Sequence, residues 1–271
     1  MPELPEVETT RRGIAPLVET QTIDHITVRQ RNLRWPIPAL LKKHLPGEKI
    51  LSVTRRAKYL LLNTSAGTVL VHLGMSGSLS VVPLSLSFHT HDRFEMALSN
   101  GQGLRLHDPR RFGAVLWAGS DPLEHPLLAS LGPEPLEPEF TEDHLYLRSR
   151  GRKRAVRDYL LDGGIVAGIG NIYANEALFR AGIRPTRAAG DVSRARYRIL
   201  TESIRATLQE AIAAGGSSIK DFRNAQGRPG YFQQSLMVYG RKDQPCLQCG
   251  RVIRAQKQGN RTVFFCTRCQ L

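Results

Sequence analysis

The first 245 residues contain no cysteine; all four, Cys246, Cys249, Cys266 and Cys269, fall in the last 26 of 271. That placement excludes the disulfide framework of a small secreted domain, whose cysteines are spread along the chain. No apolar run approaches the roughly 18 residues of a membrane-spanning helix, and no lipidation signal is present. The first ten residues are too short and too acidic for a secretory leader. A soluble intracellular protein is expected. Internal repeats and low-complexity tracts are also missing, which removes solenoids and disordered tails. Acidic side chains are scarce, 24 Asp and Glu against 38 Lys and Arg, for a net charge of +14. An excess of this sign suits a polyanion, nucleic acid before anionic membrane, and ribosomal RNA-binding proteins share it.

The cysteines form two C-x2-C pairs sixteen residues apart. That is the spacing of a four-cysteine zinc ribbon, with a tight knuckle at each pair and a β-hairpin between them. With no His or carboxylate nearby to leave an open position, the metal reads as structural Zn2+. Length allows two domains with real cores. Val7, Thr10, Ile14 and Leu17 recur at helical spacing, predicting a helix over Pro5–Pro16. Short apolar or alternating runs then predict strands at Ile23–Val28, Lys49–Thr54, Lys58–Asn63, Thr68–Leu73 and Ser78–Val82. A hairpin follows, with Phe94, Met96 and Leu98 leading into Asn100-Gly101 and Leu104 and Leu106 leading out. Adjacent hairpins with little helix between them argue for an antiparallel sandwich. His125–Phe140 carries four prolines and reads as a linker. Beyond it the pattern is helical, at Thr141–Arg148, Arg154–Leu161, Asn171–Ala181, Ser193–Ala214 and Ser217–Phe222, with Thr141 as a cap and Gly182 and Gly215 as stops. The expected division is 2–124, linker 125–140, helical 141–235 and metal module 236–271.

Several stretches admit both a structural and a chemical reading. Pro2 follows a Met that aminopeptidases usually remove before proline. The freed secondary amine, beside Glu3 and Glu6, would be a nucleophile toward a sugar or carbonyl carbon, provided the site lowers its pKa. Equally, Pro5 suits the first helical position, and Glu6 and Glu8 suit the helix dipole. Six cations in Arg148–Arg157 form either a solvated face or a phosphate contact. The glycines at 164, 168 and 170 lead into a helix whose N–H groups could meet phosphate; Asn171 is either its cap or a phosphate ligand. Lys58, and Arg261 with Lys257, are surface cations or phosphate ligands. Met75, Arg110 and Phe112 sit on turns, where they either pack or form a wedge that fills the stack vacated by an extruded base.

In order along nearly the whole chain, eight of these elements resemble motifs of the bacterial formamidopyrimidine-DNA glycosylase family. They are Pro2-Glu-Leu-Pro-Glu-Val-Glu8, Arg56-Ala-Lys-Tyr59, His72-Leu-Gly-Met-Ser-Gly77, Asp108-Pro-Arg-Arg-Phe-Gly113, Gly168-Ile-Gly-Asn-Ile-Tyr173, Gly230-Tyr-Phe232, Val238-Tyr-Gly-Arg241 and the cysteine finger. The resemblance implies an α+β chain of two lobes: an antiparallel β-sandwich with flanking helices, then a helix-two-turn-helix lobe with a zinc finger. Duplex DNA containing an oxidised purine or an abasic site would bind between the lobes. The implied activity is removal of 8-oxoguanine and formamidopyrimidines, followed by β,δ-elimination that cuts the strand. By resemblance, Pro2 attacks C1′ and forms a Schiff base, Glu3 protonates the sugar oxygen and shuttles protons, and Glu6 holds the N-terminus. Lys58 grips phosphate and assists the β step. Asn171 and Arg261 clamp phosphates, Arg261 being linked to the δ step. His91, Arg110 and Lys153 match DNA-contacting positions. Met75, Arg110 and Phe112 match the void-filling trio, with Arg110 facing the estranged cytosine, and Ser217–Tyr231 matches a loop that closes over the damaged base. Gly163-Gly164 departs from the Asp-Gln or Asp-Asn of many members, and Ser76 and the closing loop are variable positions, so lesion preference stays open. A monomer in the bacterial cytoplasm, associated with the nucleoid through DNA, is expected. Two rivals remain: the sister branch acting on oxidised pyrimidines, and a non-catalytic DNA-binding zinc protein.

Overall fold

A computed structural model describes residues 1–216 and 236–271. The chain forms two compact units. The first holds Met1–Ala129, to which the chain returns at Ala214; the second holds Ser130–Ala213 and the C-terminal residues through Leu271.

The first unit opens with helix α1 (Leu4–Val18), longer at both ends than its apolar spacing suggests, with Pro16 accommodated inside its last turn. Strand β1 (Ile23–Val28) and a single turn, α2 (Leu41–His44), follow. Seven more strands are β2 (Ile50–Arg56), β3 (Tyr59–Thr64), β4 (Gly67–His72), β5 (Ser78–Pro83), β6 (Asp92–Leu98), β7 (Gln102–His107) and β8 (Ala114–Gly119). They make two four-stranded antiparallel sheets, ordered β1-β6-β7-β5 and β2-β3-β4-β8. Alternate residues of both sheets (Phe94, Met96, Leu104 and Leu106; Val53, Leu60, Leu62, Val69 and Val71) join Val7, Ile14 and Val18 of α1 in one core. This is the period-2 burial of a sandwich, closed on one side by the apolar stripe of a helix. Strand β8 has no counterpart in the pattern reading. It follows directly on the Asp108–Gly113 turn and pairs with β4, 42 or more residues earlier in the chain, so its local context carries no hairpin signal. The connection around Asn100-Gly101 covers residues 99–101, β7 resuming at Gln102.

After a one-turn helix α3 (Pro126–Ala129), the second unit contains α4 (Glu142–Ser149), α5 (Val156–Leu160), α6 (Asn171–Arg180), α7 (Arg194–Ala213) and the hairpin β9 (Arg254–Gln258) and β10 (Arg261–Phe265). Thr141 caps α4 by accepting the His144 N–H. Gly182 and Gly215 end their helices with φ of +67° and +79°, which a side chain would strain. Helix α5 is shorter than expected, because Ala155 is extended and bridges Ala188. Asn171 is not the cap of α6. Gly170 takes that position and Asn171 is the first helical residue, which leaves its amide to act beyond the helix. The proline-rich stretch from Ser130 onward is fastened: Ala167 N–H donates to Pro133, and Arg205 donates to the carbonyls of Pro135, Glu137 and Phe140. The expected Ser217–Phe222 helix, the Ser217–Tyr231 loop and the Gly230-Tyr-Phe232 motif lie outside the described residues.

Candidate active site and metal centre

Glu3 occupies the N-cap position of α1, and Glu6, three residues on, returns an oxygen to the Glu3 N–H at 2.8 Å. This capping box satisfies a donor that would otherwise be orphaned at the helix start. It also buries two carboxylates, Glu3 at 3 % and Glu6 at 0 % exposure, directly behind a buried Pro2. The terminal amine, on Met1 in this chain, is pulled below its ordinary range by burial. Glu3 and Glu6 oppose that shift, while Lys58 and Arg110 add to it. Two carboxylates and two cations therefore surround the start of the chain. Gly216 reaches the same place: a Cβ there would lie 3.3 Å from Cγ of Glu6, at a φ of +84° that also favours glycine.

Lys58 stands on the β2–β3 turn, where Ala57 is left-handed at φ +52°. Tyr59 pairs with His72 at the end of β4, their rings 5.0 Å apart. Burial, with Lys58 and Arg34 adding to it, drives the His72 pKa down to about 4, so this imidazole is neutral at pH 7. Its Nδ1 accepts the Gly74 N–H at 3.0 Å, which places the proton on Nε2.

Beyond His72 the chain turns through Gly74, against which the Asp108–Gly113 turn packs so tightly that a Cβ would meet Gly113 N at 2.5 Å. Asp108 is wholly buried and its two oxygens accept N–H groups from Arg111 (3.0 Å) and Gly113 (2.8 Å), holding Arg111 left-handed at φ +59°. The outcome is a rigid turn presenting Arg110 over the Phe112 ring at 5.0 Å, with Phe112 44 % and Met75 39 % exposed. Large apolar side chains held out on turns are not packing the core; the turns are braced and the side chains are displayed. Arg93 links this turn to the next, donating to the Asp108 carbonyl at 2.9 Å and to Nδ1 of an exposed His91 at 3.0 Å. Replacing Asp108 by Ala strands two N–H groups, and is expected to cost about 2 kcal/mol. Urea unfolding followed at Trp35 and Trp117, both in this unit, checks this; a change under about 0.5 kcal/mol would refute the brace.

In the second unit the start of α6 holds the hairpin. Asn171 donates to Thr262 O at 3.0 Å, and Asn175 accepts the Phe264 N–H at 2.8 Å. One turn later Glu176 accepts three N–H groups, from Met237, Val238 and Tyr239, at 2.8–3.0 Å. Burial pushes the Glu176 carboxyl up, and the three N–H groups pull against it. Arg261 is exposed at the hairpin end, and Lys153 is exposed ahead of α5. The cation run therefore divides. Arg150, Arg152 and Arg154 are tied to the Val192 carbonyl, the Arg148 carbonyl and Asp162, and Arg157 is buried. Sequence reasoning gave Asp108 no role of its own within its motif and passed over Arg93, Asn175 and Glu176. Only Asp108, five residues before a glycine in an arginine-rich turn, carried a local signal, that of an Asx turn.

The four Sγ atoms lie within 4.8 Å of one another, with Cys246–Cys269 at 3.9 Å and Cys249–Cys266 at 3.4 Å. A tetrahedral zinc with bonds of roughly 2.3 Å needs sulfur–sulfur edges near 3.8 Å, so the donor set fits one structural Zn2+. Each pair sits on a knuckle, Gly250 N–H donating to Cys246 O and Gln270 N–H to Cys266 O. Cys246 and Cys266 are buried with Phe179, Val238 and Ile253, so the metal would complete a small core on the end of α6.

Three family models match the chain: the formamidopyrimidine-DNA glycosylase N-terminal domain over residues 1–115, the formamidopyrimidine-DNA glycosylase H2TH domain over 131–223, and the zinc finger found in FPG and IleRS over 243–271. Curated relatives named formamidopyrimidine-DNA glycosylase, from Syntrophotalea carbinolica and Pseudomonas putida, are 57 % and 54 % identical, with both chains covered in full. Among solved structures, the MutM (FPG) protein of Thermus thermophilus superposes with a TM-score of 0.89 at 37 % identity, covering 99 % of this chain and 98 % of that one. The Lactococcus lactis Fpg in complex with DNA containing an abasic site matches at 0.92 and 33 % identity, with 99 % of each chain covered.

Proposed function

This chain belongs to the formamidopyrimidine-DNA glycosylase family, and we propose that its reaction is carried by the secondary amine that removal of Met1 leaves on Pro2. The protein is a base-excision-repair DNA glycosylase that removes oxidised purines from duplex DNA, with the lyase activity typical of its family. One observation supports the residue assignment above the others: Glu3, Glu6, Lys58 and Arg110 all act on the Met1 amine, one residue ahead of the buried Pro2, in a setting whose burial lowers that amine's pKa. Removal of Met1 would leave the Pro2 amine beside the same groups. Lowering is the direction a nucleophilic amine requires, because only the neutral form attacks.

The steps follow from those groups. The Pro2 nitrogen bonds to C1′ of the flipped nucleotide and the damaged base departs with the electrons of its glycosidic bond, taking up the proton that the attacking amine gives up. Glu3 protonates the ring oxygen, opening the sugar, and the amine becomes an iminium. Loss of the C2′ proton breaks the C3′–O bond, and a second elimination breaks the C5′–O bond, each phosphate leaving as a monoester. Hydrolysis of the iminium frees the amine. Glu6 holds the Glu3 backbone in place, Lys58 neutralises phosphate for the β step, and Arg261 serves the δ step with Asn171 as its phosphate-binding companion. His91 and Lys153 bind the backbone, and Met75, Arg110 and Phe112 fill the gap left by the extruded base. One structural Zn2+ on the four cysteines keeps the hairpin that carries Arg261.

In domain terms, 2–124 supplies the chemistry, 125–140 connects, 141–235 binds DNA and 236–271 is the metal module. Among the described residues no helix is long and apolar enough to cross a membrane. A monomer in the bacterial cytoplasm, held to the nucleoid by its DNA substrate, suits this reading. Borohydride reduction during reaction with a duplex containing 8-oxoguanine opposite cytosine should give a covalent protein–DNA adduct. No adduct from protein whose terminus is verified as Pro2 by mass spectrometry would overturn the mechanism.

A further inference from the structure

We infer that Arg157 is a positioning residue for Arg261: it clamps the end of the zinc hairpin so that the Arg261 guanidinium is held at its phosphate. The inference rests on the reading of Arg261 given above.

Arg157 belongs to the cation run of 148–157, yet it cannot touch DNA, being 1 % exposed. Its Nη2 donates to the main-chain carbonyl of Gln258 at 3.1 Å, and its Nη1 pairs with Asp158 at 3.0 Å. Asp158 in turn accepts the Gln258 side-chain amide at 2.5 Å. Arg157, Asp158 and Gln258 thus form a closed ring that grips one hairpin residue by both its backbone and its side chain. Gln258 is the cross-strand partner of Arg261, the pair that closes the hairpin around Gly259, which is left-handed at φ +58°. Whatever fixes Gln258 fixes the strand position from which Arg261 extends.

Stability alone is a poor explanation for this cation. Among the described residues, Arg157 Nε and Gln258 Oε1 are buried without a hydrogen-bond partner. A buried charge with incomplete hydrogen bonding costs free energy that an apolar side chain of similar volume would avoid. Burial lowers the Arg157 pKa, Asp158 opposes this, and Arg261 and Arg154 add to it by repulsion. Arg157 and Arg261 are therefore close enough to repel, which leaves the hairpin end electropositive and best relieved by an anion such as phosphate.

The test is single-turnover cleavage of a duplex with a preformed abasic site, resolving β from β,δ products, in wild type, Arg157→Met, Arg157→Lys and Arg261→Ala. Arg157→Met keeps the apolar stem and removes the clamp. It should slow the δ step about 10-fold or more, the scale expected for a misplaced group. β cleavage and borohydride trapping should stay within about threefold of wild type, with zinc still bound one to one. Arg157→Lys should recover part of the δ rate, and carries the same comparison if the Met variant does not fold. A wild-type δ:β ratio in Arg157→Met overturns the inference, as does a parallel fall in δ, β and trapping, or loss of zinc. If Arg261→Ala leaves the δ step intact, the assignment of Arg261 fails and takes this inference with it. A normal Arg261→Ala defect beside an unaffected Arg157→Met sinks the clamp alone.

Discussion

Pro2→Gly is expected to slow base excision at least about 10²-fold while leaving the fold intact, equivalent to about 2.7 kcal/mol of lost transition-state stabilisation. Glycine keeps a terminal amine, so the effect isolates what proline adds. A secondary amine becomes a cationic iminium on losing water or the base, whereas a primary amine forms a neutral imine that must be protonated before it can draw electrons from C2′. The pyrrolidine ring also fixes φ near −65°, aiming the lone pair; glycine releases that torsion and surrenders part of the orientation advantage. The Glu3–Glu6 box uses the Glu3 N–H and not Pro2, so α1 should still start at Leu4. Single-turnover release of 8-oxoguanine, with Trp35 and Trp117 fluorescence as the fold control, measures this. A rate within about threefold of wild type would show that the proline ring is dispensable.

Zinc removal should cost DNA affinity at least as much, with no matching loss in the sandwich. The hairpin's core is small, Phe179, Val238, Ile253 and two of the cysteines themselves, so metal–thiolate bonds replace the apolar area the segment lacks. With the metal gone, the anchors from Asn171 and Asn175 and the grip of Arg157 and Asp158 on Gln258 would have to hold β9 and β10. Hydrogen bonds worth about 1 kcal/mol each do not offset the ordering of two strands. We expect the Kd for abasic-site DNA to rise about 10²-fold or more at fixed salt, since phosphate-led binding is salt-dependent. Both tryptophans lie in the other unit, so their fluorescence should not change. Undiminished binding after metal analysis confirms zinc loss would refute a structural role for the ion in recognition.

The strands of the sandwich were readable because burial alternates with the pleat, a property of neighbouring residues. Ile23–Val28 has the bounds its pattern predicts, and β2 to β5 differ only by a residue or two at their ends. Strand β8 was missed because, among the described residues, it pairs with β4 alone, and a run of six residues does not announce an edge pairing at that distance. Asn171 illustrates the same limit at a helix start. The glycine-spaced loop locates the helix to the residue, but which residue caps it depends on where the amide finds a partner, here Thr262 in the zinc hairpin. Glu176 looks like any polar residue on an amphipathic helix until three N–H groups from residues 237–239 close on it.

The sequence by itself determined the chemical inventory: a proline-led acidic terminus, a cation excess and a thiolate set spaced for zinc. Each is written within a few residues, where backbone geometry restricts what the chain can do. Only the tertiary structure decided which groups meet. It brought Glu3, Glu6, Lys58 and Arg110 to one amine, turned Asp108 inward so that Arg110 and Phe112 face out, and buried Arg157 while its neighbours in the same run stayed exposed. Such choices rest on contacts like that of Arg157 with Gln258, 101 residues apart, and on which surfaces lose water when sheets and helices pack. No local pattern encodes that, because the free energy deciding it appears only when distant segments are buried together.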